Sequence, residues 1–219
     1  MIKGCIFDLD GVIVDTAHYH FLAWKRLANE LGYNFTNLEN EKLKGVSRME
    51  SLEIILDLAG ISLNQEHREI LADKKNIWFN DYIEQMTPNE IFPGVKDLIF
   101  ELKRYGLKVG LASSSKNATK VLRVLQIENE FDTVVDGTMI NRTKPDPEIF
   151  LIAAKNLGLE PSTCVVIEDA EAGVEAAVAA GMKCIGIGSP DLLHKADKVL
   201  RQTSDLKLST LLALGNGGW

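Results

Sequence analysis

Residues 1–16 read MIKGCIFDLDGVIVDT. The apolar run at 2–7 predicts a short strand covered on both faces, because it shows no polar alternation. Asp8 and Asp10 follow directly, with Asp15 and Thr16 close behind. Two carboxylates two residues apart repel each other, and burying either without a partner is costly. The pair therefore asks for a cation at the end of this strand.

Further runs of the same kind lie at 107–112, 133–135, 165–167 and 184–187. Amphipathic helical patterns separate them at 95–105, 118–126, 147–156 and 170–180. Strand alternating with helix predicts an α/β fold, a doubly wound, Rossmann-like parallel sheet. The gap between the first and second strands is the exception. It holds helical patterns at 16–31, 49–59 and 65–86, with Gly32 and Gly60 as stops. The stretch TPNEIFPG then supplies breakers. We expect residues 1–14 and 93–219 to form the α/β core and 15–92 an inserted α-helical cap, hinged at 14–16 and 88–93. The final GNGGW reads as a frayed tail.

In open parallel sheets, ligands bind beyond the carboxyl ends of the strands. The expected strands end in Asp8 and Asp10, in a cluster Ser113 to Asn117, near Lys144, and in Glu168-Asp169. Any one of these is explained by a turn or a helix cap. Together they place carboxylates, hydroxyls and a lysine on one rim. Oxygen-rich and free of a His/Cys cluster, the set Asp8, Asp10, Glu168 and Asp169 suits Mg2+. Carboxylates with Mg2+ and a lysine suit phosphoryl transfer. Asp8, at the strand end, is the candidate nucleophile, giving an aspartyl-phosphate, and Asp10 the candidate general acid and base.

The bulk composition narrows the partners. The 219 residues are 46% hydrophobic and 25% charged, with net charge −7. That balance belongs to a globular protein and argues against nucleic acid as a partner. No apolar run nears membrane-spanning length, and the two aspartates interrupt the N-terminal run too early for a signal peptide. A cytoplasmic protein is expected, and a monomer is compatible with the acidic surface. Cys5, Cys164 and Cys184 sit in apolar runs and read as reduced, buried thiols.

DLDGVIVDT, LASSS, TKPDPEIF and VIEDAEAGVEAAVAAGM resemble, in order, the four motifs of the haloacid dehalogenase superfamily of phosphotransferases. The resemblance implies that Asp8 and Asp169 are metal ligands and that Asp10 lends its backbone carbonyl. Glu168 would support the metal directly or through water, and Ser113 and Lys144 would hold the transferring phosphate. Most members with these motifs are phosphatases. The segments DTAHYHFLAWKRLANELG, KLKGVSRMESLE and LADKKN are instead similar to a sugar-phosphate mutase branch. That branch interconverts β-D-glucose 1-phosphate and β-D-glucose 6-phosphate through the 1,6-bisphosphate.

A mutase must hold the phosphate that is not reacting, without metal. Arg48 offers a two-pronged fork for it, and Ser115, Lys116 and Asn117 would complete that pocket. The resemblance implies that the loop Lys44-Gly45-Val46-Ser47-Arg48, with Ser51 and Lys75, meets the substrate. It also implies that Thr16 and His20, four apart on one helix face, position Asp10 as the cap closes. Leu9 and Val12 would keep the closed site dry. A sugar-phosphate phosphatase of the same superfamily is the alternative, separable by the phosphate it would release.

Overall fold

The structure is a computed structural model and describes residues 1–43 and 46–215. It divides into two compact units, one of residues 16–86 and one of residues 1–15 with the chain from Thr87 onward.

The larger unit is built on a six-stranded parallel sheet. Its strands are β1 (Gly4–Phe7), β2 (Lys108–Ala112), β3 (Thr133–Val135), β4 (Cys164–Glu168), β5 (Lys183–Ile187) and β6 (Lys198–Leu200), in the order β3-β2-β1-β4-β5-β6. The expected doubly wound α/β class is what the sheet shows. β1, β4 and most of β2 and β5 are buried, which accounts for their unbroken apolar sequences. The edge strand β6 was not expected. It is three half-buried residues, too short and too polar to stand out as a run.

The order reverses at the β1–β4 junction, where a doubly wound sheet opens its ligand crevice. Register there is set by Phe7 opposite Ile167 and Phe7 opposite Leu111. Asp8 therefore leaves β1 level with Glu168 on one side and Ala112 on the other.

Helices α5 (Val95–Arg104), α6 (Ala118–Val124), α7 (Glu148–Leu157), α8 (Glu171–Ala179) and α9 (Leu208–Gly215) belong to this unit. In one core cluster, Ile149, Phe150, Ala153 and Ala154 of α7 and Val174, Ala176 and Ala177 of α8 are packed with Ile6, Val166 and Cys184 of the sheet. The three cysteines are free and buried. Of the expected frayed tail, Gly215 is the last residue of α9, and 216–219 lie outside the described residues. The break at Thr87 precedes the expected 93 because Phe92 N–H donates to Ile13 O at 2.8 Å, tying the linker to the segment after β1.

The smaller unit contains α1 (Ala17–Glu30), α2 (Asn37–Asn40), α3 (Arg48–Ala59) and α4 (Gln65–Ile83). Its ends follow local rules. Ser47 Oγ accepts from Glu50 N–H and Asn64 Oδ1 from His67 N–H, capping α3 and α4, while Gly60 closes α3 in the left-handed conformation at φ +69°. Trp24, Leu27 and Ala28 of α1 and Ala72, Phe79 and Ile83 of α4 are buried. Among the described residues, no helix is long and apolar enough to cross a membrane.

Candidate active site

Carboxylate oxygens of Asp8, Glu168 and Asp169 all lie within 4.8 Å of one another at the β1–β4 switch point. Asp8 N–H donates to Ile167 O at 2.9 Å, so the backbone ladder itself delivers the Asp8 side chain to the rim. Lys144 reaches the same point from the segment between β3 and α7. Its ammonium donates to Asp8 Oδ1 at 2.5 Å, to Glu168 Oε2 at 3.3 Å and to Ala112 O at 3.4 Å, and stands 4.9 Å from the centre of the Phe150 ring. Asp8, Glu168 and the Lys144 side chain are all buried.

Charge does not balance among these groups. Burial raises the Glu168 carboxyl well above its ordinary value, Asp8 raises it further, and Lys144 pulls it back. The Asp169 carboxyl is pushed up to about 7, by burial first, then by Asp8 and Asp10. Burial works against the Lys144 ammonium, yet Asp8 and Glu168 outweigh it and hold its pKa above the usual lysine value. One lysine thus stands among three clustered carboxylates, Asp8, Glu168 and Asp169. A hard divalent cation would remove the excess, and the oxygen-only donor set fits Mg2+.

The loop after β1 is compact. Leu9 O accepts from Ile13 N–H and Val14 N–H, and Gly11 N–H donates to Val14 O. Leu9 and Val12 are fully buried. At the end of β2, Ser113 is buried and its Oγ accepts from Ser115 N–H, whose own Oγ accepts from Asn117 N–H. Lys116 is exposed in the same turn.

The other expected residues lie in the helical unit. His20 Nδ1 and Lys75 Nζ are 2.7 Å apart, so the lysine donates and the ring accepts. The Lys75 ammonium is also 4.6 Å from the Trp24 ring and 4.8 Å from the Phe79 ring, on which His20 stacks. Burial, then Lys75, then Arg48 hold the His20 pKa well below its usual value. Arg48 opens α3 with Nη1 3.5 Å from Asp73 Oδ1, Ser51 is buried one turn on, and Thr16 precedes α1. Val46 is half-buried, and Lys44 and Gly45 lie outside the described residues.

Residues 5–187 match the family model described as haloacid dehalogenase-like hydrolase. This chain belongs to that family. Among the most similar members, "Beta-phosphoglucomutase" of Bacillus subtilis is 48% identical over 96% of this chain and 94% of its own length. The "Phosphorylated carbohydrates phosphatase" of Thermotoga maritima is 34% identical over 84% of each. A crystal structure of beta-phosphoglucomutase from Clostridium difficile superposes with a TM-score of 0.92 at 42% identity, covering 97% of this chain and 96% of that one.

Within this haloacid dehalogenase-like site, several supports escaped the sequence reading. Asp136, at the end of β3, is buried and accepts from Thr119 Oγ1, Thr138 N–H and Thr138 Oγ1, fastening α6 to the sheet rim. Phe150 lies under the Lys144 ammonium. Gly11 and Gly173 leave room for Asp169 and Glu168 respectively. An Asp directly after a short apolar run and a lone Gly in a helical pattern were the available signals.

Proposed function

We propose that this protein acts as a Mg2+-dependent β-phosphoglucomutase. It interconverts β-D-glucose 1-phosphate and β-D-glucose 6-phosphate through β-D-glucose 1,6-bisphosphate, with an aspartyl-phosphate on Asp8. The observation that carries the reading is 48% identity to a beta-phosphoglucomutase across 96% of the chain, with Asp8 at the switch point.

Asp8 attacks phosphorus with one carboxylate oxygen while the bond from phosphorus to the sugar oxygen breaks. Asp10 gives that oxygen its proton. In the return direction Asp10 takes the proton of the accepting hydroxyl, and the phosphoryl group moves from Asp8 to the sugar. Lys144 holds Asp8 in place and offers its charge to the transferring phosphoryl oxygens, with Ser113 as a hydroxyl donor beside it. Asp8, Glu168, Asp169 and the Asp10 carbonyl would hold Mg2+, which would supply further positive charge where phosphoryl charge develops. Arg48 is the fork for the phosphate that is not reacting. Ser115, Lys116 and Asn117 are phosphate donors from the turn after β2. Lys44, Gly45, Val46, Ser51 and Lys75 are assigned to the sugar phosphate, and Thr16 and His20 to the positioning of Asp10. The same reading takes the protein as a cytoplasmic monomer.

The test follows isomer formation and free phosphate together, from β-glucose 1-phosphate with catalytic bisphosphate. We expect isomer with little phosphate, and no turnover above background for Asp8→Asn. Phosphate released as fast as substrate disappears would favour a phosphatase, a reading that the Thermotoga maritima relative supports. Arg48→Ala should lower mutase flux far more than it lowers phosphorylation of Asp8 by acetyl phosphate. Equal losses in the two assays would contradict its assignment to the non-reacting phosphate.

A further inference from the structure

Gly173 is the third residue of α8, whose sequence EAGVEAAVA is otherwise composed of alanine, valine and glutamate. Glycine costs a helix roughly 1 kcal/mol relative to alanine. No left-handed backbone explains its presence, since Gly173 is absent from the positive-φ glycines of the described chain. Space explains it. A Cβ placed on Gly173 would lie 1.7 Å from Glu168 Oε1, 2.1 Å from Cδ and 2.4 Å from Cγ. The Glu168 carboxyl group therefore rests directly on the Gly173 Cα.

Glu168 is held from two sides. Oε1 lies against Gly173, and Oε2 accepts from Lys144 Nζ at 3.3 Å. A methyl group at 173 would force the carboxylate off the helix, in a site where the charges of Asp8 and Asp169 already act against it. Gly11 shows a parallel arrangement, with a Cβ there 2.0 Å from Asp169 Oδ2, but its φ of +73° demands glycine in any case. Gly173 is the position where the two explanations separate.

We propose that Gly173 is a positioning residue for the divalent-cation site, its missing side chain forming the seat that holds Glu168 in place. The proposal rests on the Mg2+ reading above and concerns affinity for the cation. The test is calorimetric titration of the full chain with Mg2+, alongside thermal unfolding, for wild type, Gly173→Ala and Gly173→Ser. The same glycine substitution is made in a Glu168→Asp background, where the carboxylate is withdrawn by one methylene.

Gly173→Ala should weaken Mg2+ binding about tenfold or more, the range seen when a metal-site support is lost. Gly173→Ser should weaken it further. In the Glu168→Asp background the alanine should cost about threefold or less. A folded Gly173→Ala that binds Mg2+ as tightly as wild type would overturn the proposal, as would equal losses in both backgrounds. If Glu168→Asp alone erases binding, the gradation from alanine to serine decides, and equal losses overturn it. If Gly173→Ala does not fold, recovery of the fold in the Glu168→Asp background supports the seat, and failure to recover overturns it. Wild type that binds Mg2+ yet shows no mutase turnover would defeat the proposed function and leave this inference standing.

Discussion

Lys144 and Lys75 show how differently a cation can be buried in one chain. Lys144 is enclosed by carboxylates, so its charge is compensated by Asp8 and Glu168. Lys75, with 2% of its surface exposed, meets two aromatic faces and a neutral imidazole. His20 bears the consequence. With its folded pKa held well below 6.5, it stays neutral while the unfolded chain takes up a proton near 6.5. The unfolded state then binds more protons, so stability falls as pH drops below about 6.5 and is fully present above it. The slope contributed by this one group is at most about 1.4 kcal/mol per pH unit. Urea unfolding between pH 7.5 and 5.5 should show wild type losing more stability than His20→Gln. Identical pH slopes for the two proteins would refute this account of His20.

At the level of elements, the rim is assembled from short pieces held by few bonds. Thr203, between β6 and α9, is buried and its Oγ1 donates to Val12 O at 2.9 Å, which clamps the loop carrying Asp10. Thr203→Val keeps the shape and leaves that carbonyl without its donor, so stability should fall by about 1–3 kcal/mol in urea unfolding. An unchanged midpoint would mean the clamp is idle. Most elements were legible because their signals are local. Stops at Gly32 and Gly60 and apolar runs each declare themselves within a few residues. The short α2, the C-terminal α9 and the edge strand β6 were not expected: α2 and β6 bury too little apolar surface to leave a period, and α9 is only eight residues long.

For the whole molecule, folding gathers the carboxylates of Asp8, Glu168 and Asp169 at the β1–β4 junction, which the unfolded chain leaves apart. Under the proposed Mg2+ site, ligand bound to the folded state alone adds about 2.7 kcal/mol at a hundredfold excess over the dissociation constant. Thermal unfolding should rise with added Mg2+ and return to the metal-free value with a chelator. Asp169→Asn should blunt that rise, and a full Mg2+ response in this variant would argue against Asp169 as a ligand.

The sequence by itself determined which side chains end which strands: Asp8 and Asp10 after β1, Ser113 after β2, Glu168 and Asp169 at the end of β4. Those assignments depend only on where an apolar run stops. Tertiary structure alone decided which ends are neighbours. Four largely buried strands have interchangeable patterns, and pairing β1 with β4 and β2 is a choice of packing and register. That choice brings Lys144 onto Asp8 across 136 residues of chain. It also decided that Gly173 touches Glu168, because a missing side chain shows its purpose only once its neighbour is in place.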